Sequence, residues 1–80
     1  MTKYELVKDM LFQKLDYYIK KTRECKDLIE FFIVLGWFIE ESSEVISKSG
    51  LDYSDKKKLL FWMCEEMNVL YMHYILNTKN

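Results

Sequence analysis

The stretch that decides the fold is Leu28-Ile29-Glu30-Phe31-Phe32-Ile33-Val34-Leu35-Gly36-Trp37-Phe38-Ile39. Every residue in it except Glu30 and Gly36 is strongly apolar, and the chain then turns acidic over residues 40–44. A helix that is apolar all the way round is not a one-sided surface helix, so it has to be covered on several sides. We therefore expect the rest of the chain to pack around this segment.

Three helices are predicted, over about residues 3–21, 24–48 and 53–76, within one domain spanning residues 1–80. The chain has no proline and only two glycines, so long helices are the default. Thr2-Lys3-Tyr4-Glu5 is a capping-box pattern that predicts the first helix start, and Thr22 is the cap expected for the second helix. Gly50 suits the left-handed position after that helix, and Asp52 or Ser54 can cap the third.

Apolar residues recur at helical spacing on both outer helices. On the first helix, one apolar face is formed by Tyr4, Val7, Leu11, Leu15 and Tyr18. A second strip is formed by Leu6, Met10 and Tyr17. On the third helix, one apolar stripe is formed by Leu59, Leu60, Met63, Met67, Leu70 and Tyr74. A second face is formed by Phe61, Trp62, Val69, Met72 and Leu76. Two apolar faces on one helix imply neighbours on more than one side.

These features predict an all-α subunit of three helices with a central apolar helix and an antiparallel helical hairpin on its C-terminal side. Half of the 80 residues are hydrophobic and 16% are aromatic. A chain this short buries only about 60–65% of its unfolded surface, so that much apolar surface is hard to hide in one copy. We therefore expect a homo-oligomer, most simply a dimer that completes a larger bundle.

Charge and composition narrow the location and the partners. The net charge of -1 and the pI near 5.8 create no field that favours nucleic acid. The apolar run 28–39 is too short to span a bilayer, and the start of the chain lacks the apolar region of a signal peptide. Cys25 and Cys64 are interpreted as small buried apolar residues in a reducing compartment. These observations predict a soluble, cytoplasmic protein without a membrane or nucleic-acid partner.

Two pairs of polar residues are the candidates for chemistry. Glu41 and Glu44 lie three residues apart and share a helix face, as do Glu65 and Asn68 on the third helix. Aromatic and aliphatic residues flank both pairs, which suggests that they point inward at similar depths of the hairpin. Such a set could hold Mg²⁺, a hard cation that takes oxygen ligands and keeps waters for a phosphate substrate. In the alternative interpretation, these acids are surface charges near helix ends.

The order of these residues resembles the MazG-like, all-α nucleoside triphosphate pyrophosphohydrolases. Glu41-Ser42-Ser43-Glu44 is followed, after twenty residues, by Glu65-Glu66-Met67-Asn68-Val69-Leu70-Tyr71. The family pattern is ExxE, a short hairpin, and ExxD followed by apolar residues; Asn68 stands where the family has its last acid. The resemblance implies Glu41, Glu44 and Glu65 as metal ligands, Mg²⁺ as cofactor, a dimer, and hydrolysis of a nucleotide to its monophosphate and pyrophosphate.

Two functions therefore remain open at this stage. The first is a small helical oligomeric protein that docks on a macromolecular partner, as an adaptor or inhibitor does, without catalysis. The second is the Mg²⁺-dependent pyrophosphohydrolase, or a degenerate member of that family that binds nucleotide without chemistry. For the first function, aromatic residues, methionine and the mid-helix glycine are the interface candidates, namely Trp37, Phe61, Trp62, Met72 and Gly36. Gly36 is expected at a close helix crossing.

Overall fold

The computed structural model describes residues 1–78, and over this range the chain forms three α-helices and no strand. They are α1 (Lys3–Glu24), α2 (Leu28–Ser47) and α3 (Tyr53–Thr78), and each packs against the other two. The chain runs up, down and up: Tyr18 of α1 contacts Phe38 of α2, and Arg23 near the end of α1 lies beside His73 of α3. The predicted all-α, three-helix fold with an antiparallel C-terminal hairpin is confirmed.

Two of the predicted helix caps are present. The Thr2 hydroxyl oxygen accepts a hydrogen bond from the Glu5 amide at 3.1 Å and donates to the Glu5 carboxylate at 3.0 Å. At the start of α3, an Asp52 carboxylate oxygen accepts from the Asp55 amide at 2.8 Å. Both caps satisfy amides that the first helical turn leaves without an intrahelical partner.

The predicted role of Thr22 as a helix cap is wrong. α1 continues to Glu24, and Thr22 lies inside it with none of its surface exposed. Its hydroxyl donates to the Ile19 carbonyl at 2.7 Å, so the side chain is satisfied by the preceding turn and is not needed at a helix end. The first helix is therefore longer than the sequence pattern predicted.

The second helix begins later than predicted, at Leu28. Asp27 is its N-cap, with a carboxylate oxygen that accepts from the Glu30 amide at 2.9 Å. Glu30 in turn accepts from the Lys26 amide at 2.7 Å. This reciprocal pair of hydrogen bonds fixes the start of the apolar helix, because it satisfies donors on both sides of the boundary.

Gly50 adopts the left-handed conformation that the sequence predicted, with φ at +74°. It comes two residues after Lys48, the C-cap of α2, and it is the only described residue with a positive φ. A β-carbon at this position would also lie 2.6 Å from the Lys3 ammonium nitrogen, so both backbone and space favour glycine.

The core consists of two buried clusters along the three-helix axis. The cluster at one end contains Leu15, Tyr18, Cys25, Phe31, Val34, Phe38, Met63 and Leu70. The cluster at the other end contains Val7, Leu11, Ile46 and Leu59. The main faces predicted for α1 and α3 supply most of these residues, except that Leu60 is exposed. Each buried aliphatic or aromatic side chain contributes roughly 1.5–3 kcal/mol to folding before entropy is subtracted.

α2 is not covered on all sides, contrary to the expectation from its composition. One side is buried, with Phe31, Val34 and Phe38 packed against α1 and α3. On the opposite side Ile29 is 72% exposed and Trp37 is 52% exposed. Two neighbouring helices can enclose only part of a third, so a single chain leaves half of its most apolar helix open.

The two ends of the bundle are tied by side-chain hydrogen bonds to helix-terminal carbonyls. The Asn77 amide nitrogen donates to the Arg23 carbonyl at the end of α1, at 2.6 Å. At the opposite end, the Lys56 ammonium donates to the Ser47 carbonyl at the end of α2, at 3.1 Å. α3 ends at Thr78, two residues past its predicted end at residue 76. The remainder of the tail predicted to be frayed, residues 79 and 80, lies outside the described residues.

The apolar run of α2 ends at Ile39, where Glu40 and Glu41 follow. Across residues 1–78, no helix combines the length and the hydropathy that crossing a bilayer requires.

Candidate functional site

Glu41 and Glu44 lie on the side of α2 that faces α1, where they line an open groove between the two helices. One cavity of this groove has a volume of about 540 Å³ and is lined by Val7, Met10, Lys14, Glu41, Glu44, Val45, Lys48 and Ser49. An adjoining cavity of about 450 Å³ shares Met10, Lys14 and Glu41 and reaches Gln13, Tyr17 and Tyr18. Together the two cavities are called the α1–α2 groove.

Glu41 accepts a hydrogen bond from the hydroxyl of Tyr18. The Tyr18 ring is only 3% exposed and packs edge-on against Phe38, with ring centroids 5.9 Å apart. Burial, followed by the hydrogen bond to Glu41, raises the pKa of Tyr18 well above its ordinary value. The phenol therefore stays protonated and holds the carboxylate at the groove wall.

Glu44 is paired with Lys48 one turn later on the same helix, at 2.8 Å. The hydrogen bond to Lys48 lowers the pKa of Glu44, and the same bond raises the pKa of Lys48. Because both side chains are exposed, the pair contributes little to stability. Both predicted acids of the ExxE motif are thus already engaged by donors from the protein.

Lys14 is the half-buried cation of the α1–α2 groove and lines both of its cavities. Within residues 1–78 its ammonium has no carboxylate oxygen within 4.0 Å. Its charge lowers the pKa of Glu44 slightly, after the larger effect of Lys48. The groove therefore combines two carboxylates, two ammonium groups and an apolar floor of valine and methionine.

Glu65 and Asn68 lie elsewhere. Both are exposed on α3, and neither lines the α1–α2 groove. The expectation that the acids point inward is wrong for this chain, because the buried stripe of Leu59, Met63 and Leu70 turns the opposite side of α3 outward. Among residues 1–78, no three His, Cys, Asp or Glu side chains are grouped as metal ligands. One chain does not bring the predicted magnesium ligands together.

The interface candidates fall into two groups. Trp37, Phe61 and Met72 are more than half exposed, and Gly36 also faces solvent. Trp62 is instead half-buried against both core clusters, with its ring edge-on to Phe12 at 5.1 Å. Trp62 is therefore part of the packing between α1 and α3, and its substitution would test stability more than docking.

The expectation of a close helix crossing at Gly36 is not met within one chain. No described atom outside its own helical turn lies within 4 Å of the position that a β-carbon would take at Gly36. The residue thus retains the helix-weakening effect of glycine, about 1 kcal/mol relative to alanine, without an intrachain contact that needs it.

The two cysteines are free and differ in environment. Cys25 is 6% exposed, which confirms its prediction as a small buried residue, and burial raises the pKa of its thiol. Cys64 is exposed on α3, so the prediction that it is buried is wrong. Leu60 and Phe61, four and three residues before it, are also exposed, because this side of α3 faces away from the core.

Sequence reasoning missed the buried hydroxyl of Ser42 and the half-buried carboxyl of Glu66. Ser42 has none of its surface exposed, and its hydroxyl has no hydrogen-bond partner among the described residues. It lies four residues after Phe38 and four before Ile46, so helical spacing already placed it on the buried stripe of α2. Glu66 lies three residues after Met63, is half-buried, and has its pKa raised first by burial and then by the charge of Glu65.

Comparisons of this chain with protein-family models, with curated proteins and with solved structures give no match. The resemblance to the MazG-like enzymes therefore rests on the residue pattern of 41–71 alone.

Proposed function

We propose that this chain is a small helical binding protein that acts in the cytoplasm as a homo-oligomer, docks on a protein partner and performs no catalysis. The observation that carries the proposal is the outer face of α3, defined as Phe61, Glu65, Asn68, Met72 and Leu76. These residues follow one another at intervals of three or four, so they lie on one side of the helix.

The outer face of α3 has the composition of an interface that forms and dissociates. Phe61, Met72 and Leu76 are 60%, 56% and 59% exposed, although each is large and apolar. Glu65 and Asn68 lie between them and are also exposed. Aromatic residues and methionine are enriched at protein interfaces, and a carboxylate and an amide among them keep the face soluble. Phe61 and Met72 are directed away from the buried stripe of Leu59, Met63 and Leu70, so packing in the core does not account for these two side chains.

The state of the carboxylates favours binding over catalysis. Glu41 is held by Tyr18, and Glu44 is held by Lys48. A general acid or base needs a free group with a pKa near the working pH, and a metal site needs converging ligands. Neither arrangement is assembled by the side chains of the α1–α2 groove in one chain.

Affinity capture with the full chain tests the docking proposal. Wild type, Phe61→Ser and Leu6→Ser are immobilised and exposed to lysate, and captured proteins are compared quantitatively. Leu6 is a matched control because it is an apolar residue of α1 with 51% exposure and lies outside both core clusters. We expect a partner that wild type and Leu6→Ser retain and Phe61→Ser loses at least tenfold, which corresponds to about 1.4 kcal/mol.

The same experiment can contradict the proposal. Equal capture by all three proteins would show that Phe61 is not in the docking face. Circular dichroism of the variants is measured alongside as a check on folding. A change at an exposed residue should leave the helix content unchanged and the free energy of unfolding within about 0.5 kcal/mol of wild type.

A second candidate is a degenerate MazG-like protein that binds a nucleoside triphosphate. It is supported by the motif resemblance and by one observation, that Glu41 and Glu44 line the same cavity as Lys14 and Lys48. Ammonium groups in an apolar groove are suitable for phosphate oxygens. Since one chain does not group the ligands that Mg²⁺ would need, no step through a metal is proposed.

Calorimetric titration distinguishes this candidate from the first. Wild type, Glu44→Gln and Glu40→Gln are titrated with a nucleoside triphosphate, with and without Mg²⁺ or Mn²⁺. Glu40 is the control because it is the exposed acid next to the motif and does not line the α1–α2 groove. Binding that changes in Glu44→Gln but not in Glu40→Gln supports nucleotide binding, and absence of heat in all three proteins contradicts it.

A further inference from the structure

We propose that a second copy of this chain covers the outer face of α2, with the two α2 helices antiparallel and crossing at Gly36. The outer face of α2 is defined as Ile29, Phe32, Ile33, Gly36 and Trp37. This inference rests on the homo-oligomer of the proposed function and assigns a surface to it. It does not depend on the outer face of α3 or on the partner that docks there.

The exposure of this face is the first argument. Ile29, Phe32, Ile33 and Trp37 are 72%, 58%, 50% and 52% exposed. Phe32, Ile33 and Trp37 follow Ile29 by three, four and eight residues, which places all four on one side of the helix, opposite Phe31, Val34 and Phe38. They form one continuous apolar surface in the most apolar segment of the chain. Scattered surface apolar residues need no explanation, but a contiguous face of this kind indicates an interaction site.

The area of the face is the second argument. Aromatic side chains present roughly 150–250 Å² each and isoleucine is smaller, so two aromatic residues and two isoleucines that are half or more exposed present about 400–500 Å². A standard interface buries about 800 Å² on each partner. The face therefore supplies about half of what a stable dimer needs. Leu28, which is 46% exposed, lies beside the face at its N-terminal end and extends the apolar surface.

Gly36 is the third argument. Its φ is not positive, since Gly50 alone has a positive φ among the described residues, so the backbone does not require glycine there. No described neighbour approaches it, yet glycine in mid-helix costs about 1 kcal/mol relative to alanine. A residue without a side chain lets another backbone approach closely. At the centre of the exposed face, that property is useful only to a helix from outside the chain.

Charge is the argument for a second copy over a different protein. None of the five residues that define the face is charged, so the face neither selects an oppositely charged partner nor repels itself. The acid nearest to the crossing on this side is Glu40, four residues past Gly36. In an antiparallel crossing the two Glu40 residues lie on opposite sides of it, about 12 Å apart along the axis. That distance exceeds the screening length of about 8–10 Å, so like charges do not oppose the pairing.

At one position the register also places a small residue opposite a large one. In an antiparallel pair centred on Gly36, position 29 of one helix lies beside position 43 of the other. Position 43 is Ser43, whose hydroxyl donates to the Ile39 carbonyl of its own helix. Ser43 can therefore be buried beneath Ile29 without leaving a polar group unpaired.

Sedimentation equilibrium of the full chain tests the proposal over about 1–500 µM, the range in which a dimer of moderate affinity dissociates. The variants are Ile33→Glu and the control Leu6→Glu, which replaces a residue of nearly equal exposure, 51% against 50%, on α1. We expect wild type and Leu6→Glu to dimerise with dissociation constants within about threefold. Ile33→Glu should weaken dimerisation on the order of 100-fold, because it buries a carboxylate at the crossing.

Gly36→Leu separates the interface from folding. No described atom outside the helical turn lies within 4 Å of a β-carbon at this position in a single chain, and leucine favours helix, so the monomer should fold at least as well as wild type. At a close crossing the same side chain holds the helices apart, and we expect dimerisation to weaken at least tenfold.

Two results would overturn the inference. A wild-type chain that stays monomeric at the highest concentration contradicts the homo-oligomer itself, while docking through α3 remains separately testable by capture. A dimer that tolerates both Ile33→Glu and Gly36→Leu shows that the copies meet through another face.

Discussion

The hydroxyl of Tyr18 on α1 donates a hydrogen bond to the carboxylate of Glu41 on α2, joining a buried phenol to an exposed acid. The two residues are 23 positions apart in the chain, so the contact forms only when the two helices have packed. It is the point where the core and the α1–α2 groove meet. A change at Tyr18 should therefore affect both the stability of the bundle and its titration.

Replacing Tyr18 with Phe should lower the free energy of unfolding by about 1 kcal/mol at neutral pH. The ring keeps its edge-on contact with Phe38, but the hydrogen bond to Glu41 is lost. Urea unfolding followed by circular dichroism measures the change. Tyr17→Phe is the control, because Tyr17 is 53% exposed and should change by less than about 0.5 kcal/mol. Equal effects of the two substitutions would contradict the assigned role of the hydroxyl.

The burial of the Tyr18 phenol, together with its hydrogen bond to Glu41, should make the bundle sensitive to alkali. Burial raises the pKa of Tyr18, so the unfolded chain loses the phenolic proton near pH 10 while the folded chain keeps it. This contribution to stability is complete below pH 10 and is lost as the pH rises toward the raised pKa. Above pH 10, the unfolding free energy of wild type should fall more steeply than that of Tyr18→Phe, by up to about 1.4 kcal/mol per pH unit. Parallel curves between pH 9 and 11.5 would rule this out.

Ser42→Ala should stabilise the protein by roughly 1 kcal/mol, because it removes a buried hydroxyl that has no partner among the described residues. Thermal unfolding of the variant measures the gain. Ser43→Ala is matched in helix position and removes a hydroxyl that donates to the Ile39 carbonyl, so its gain should be smaller. A larger gain for Ser43→Ala would show that the Ser42 hydroxyl is satisfied in solution.

Glu66→Gln should also stabilise the bundle at pH 7, by roughly 0.5 kcal/mol. Burial, with a smaller effect of the Glu65 charge, raises the pKa of Glu66. The stabilisation by the protonated carboxyl group is complete below about pH 4.3, the pKa of glutamate in the unfolded chain, and is lost as the pH rises through the higher pKa of the folded chain. At pH 7 the ionised carboxylate therefore opposes folding. The difference between wild type and variant should disappear near pH 4. A constant difference from pH 4 to pH 7 would exclude ionisation as its cause.

The periodic faces of α1 and α3 explain how much of the fold could be predicted. Val7, Leu11, Leu15 and Tyr18 are spaced for one face of α1, and the structure buries all four. The same spacing rule fails on α2, because both of its sides are apolar and periodicity does not choose between Phe38 and Trp37. The choice depends on how two other helices fit against it, which is a property of packing.

The candidate site shows the same limit. Spacing correctly pairs Glu41 with Glu44 and Glu65 with Asn68, and each pair does share a helix side. It does not say which neighbour that side meets, since rotation of a helix is set by its bulkiest buried residues. The two pairs therefore lie on different surfaces. At the start of α2, the predicted cap Thr22 bonds instead to its own helix, and the cap is Asp27, which sequence reasoning did not single out.

The hydrogen bond from Asn77 to the Arg23 carbonyl has a consequence for folding during synthesis on the ribosome. Its two ends are separated by 54 positions, so Asn77 is synthesised well after Arg23. At about 5–20 residues per second, the ribosome adds Asn77 roughly 3–11 seconds after Arg23. The Arg23 carbonyl therefore lacks this hydrogen bond for that time. The bundle is therefore incomplete until α3 has been synthesised, and until then the nascent chain leaves the buried side of its apolar second helix uncovered.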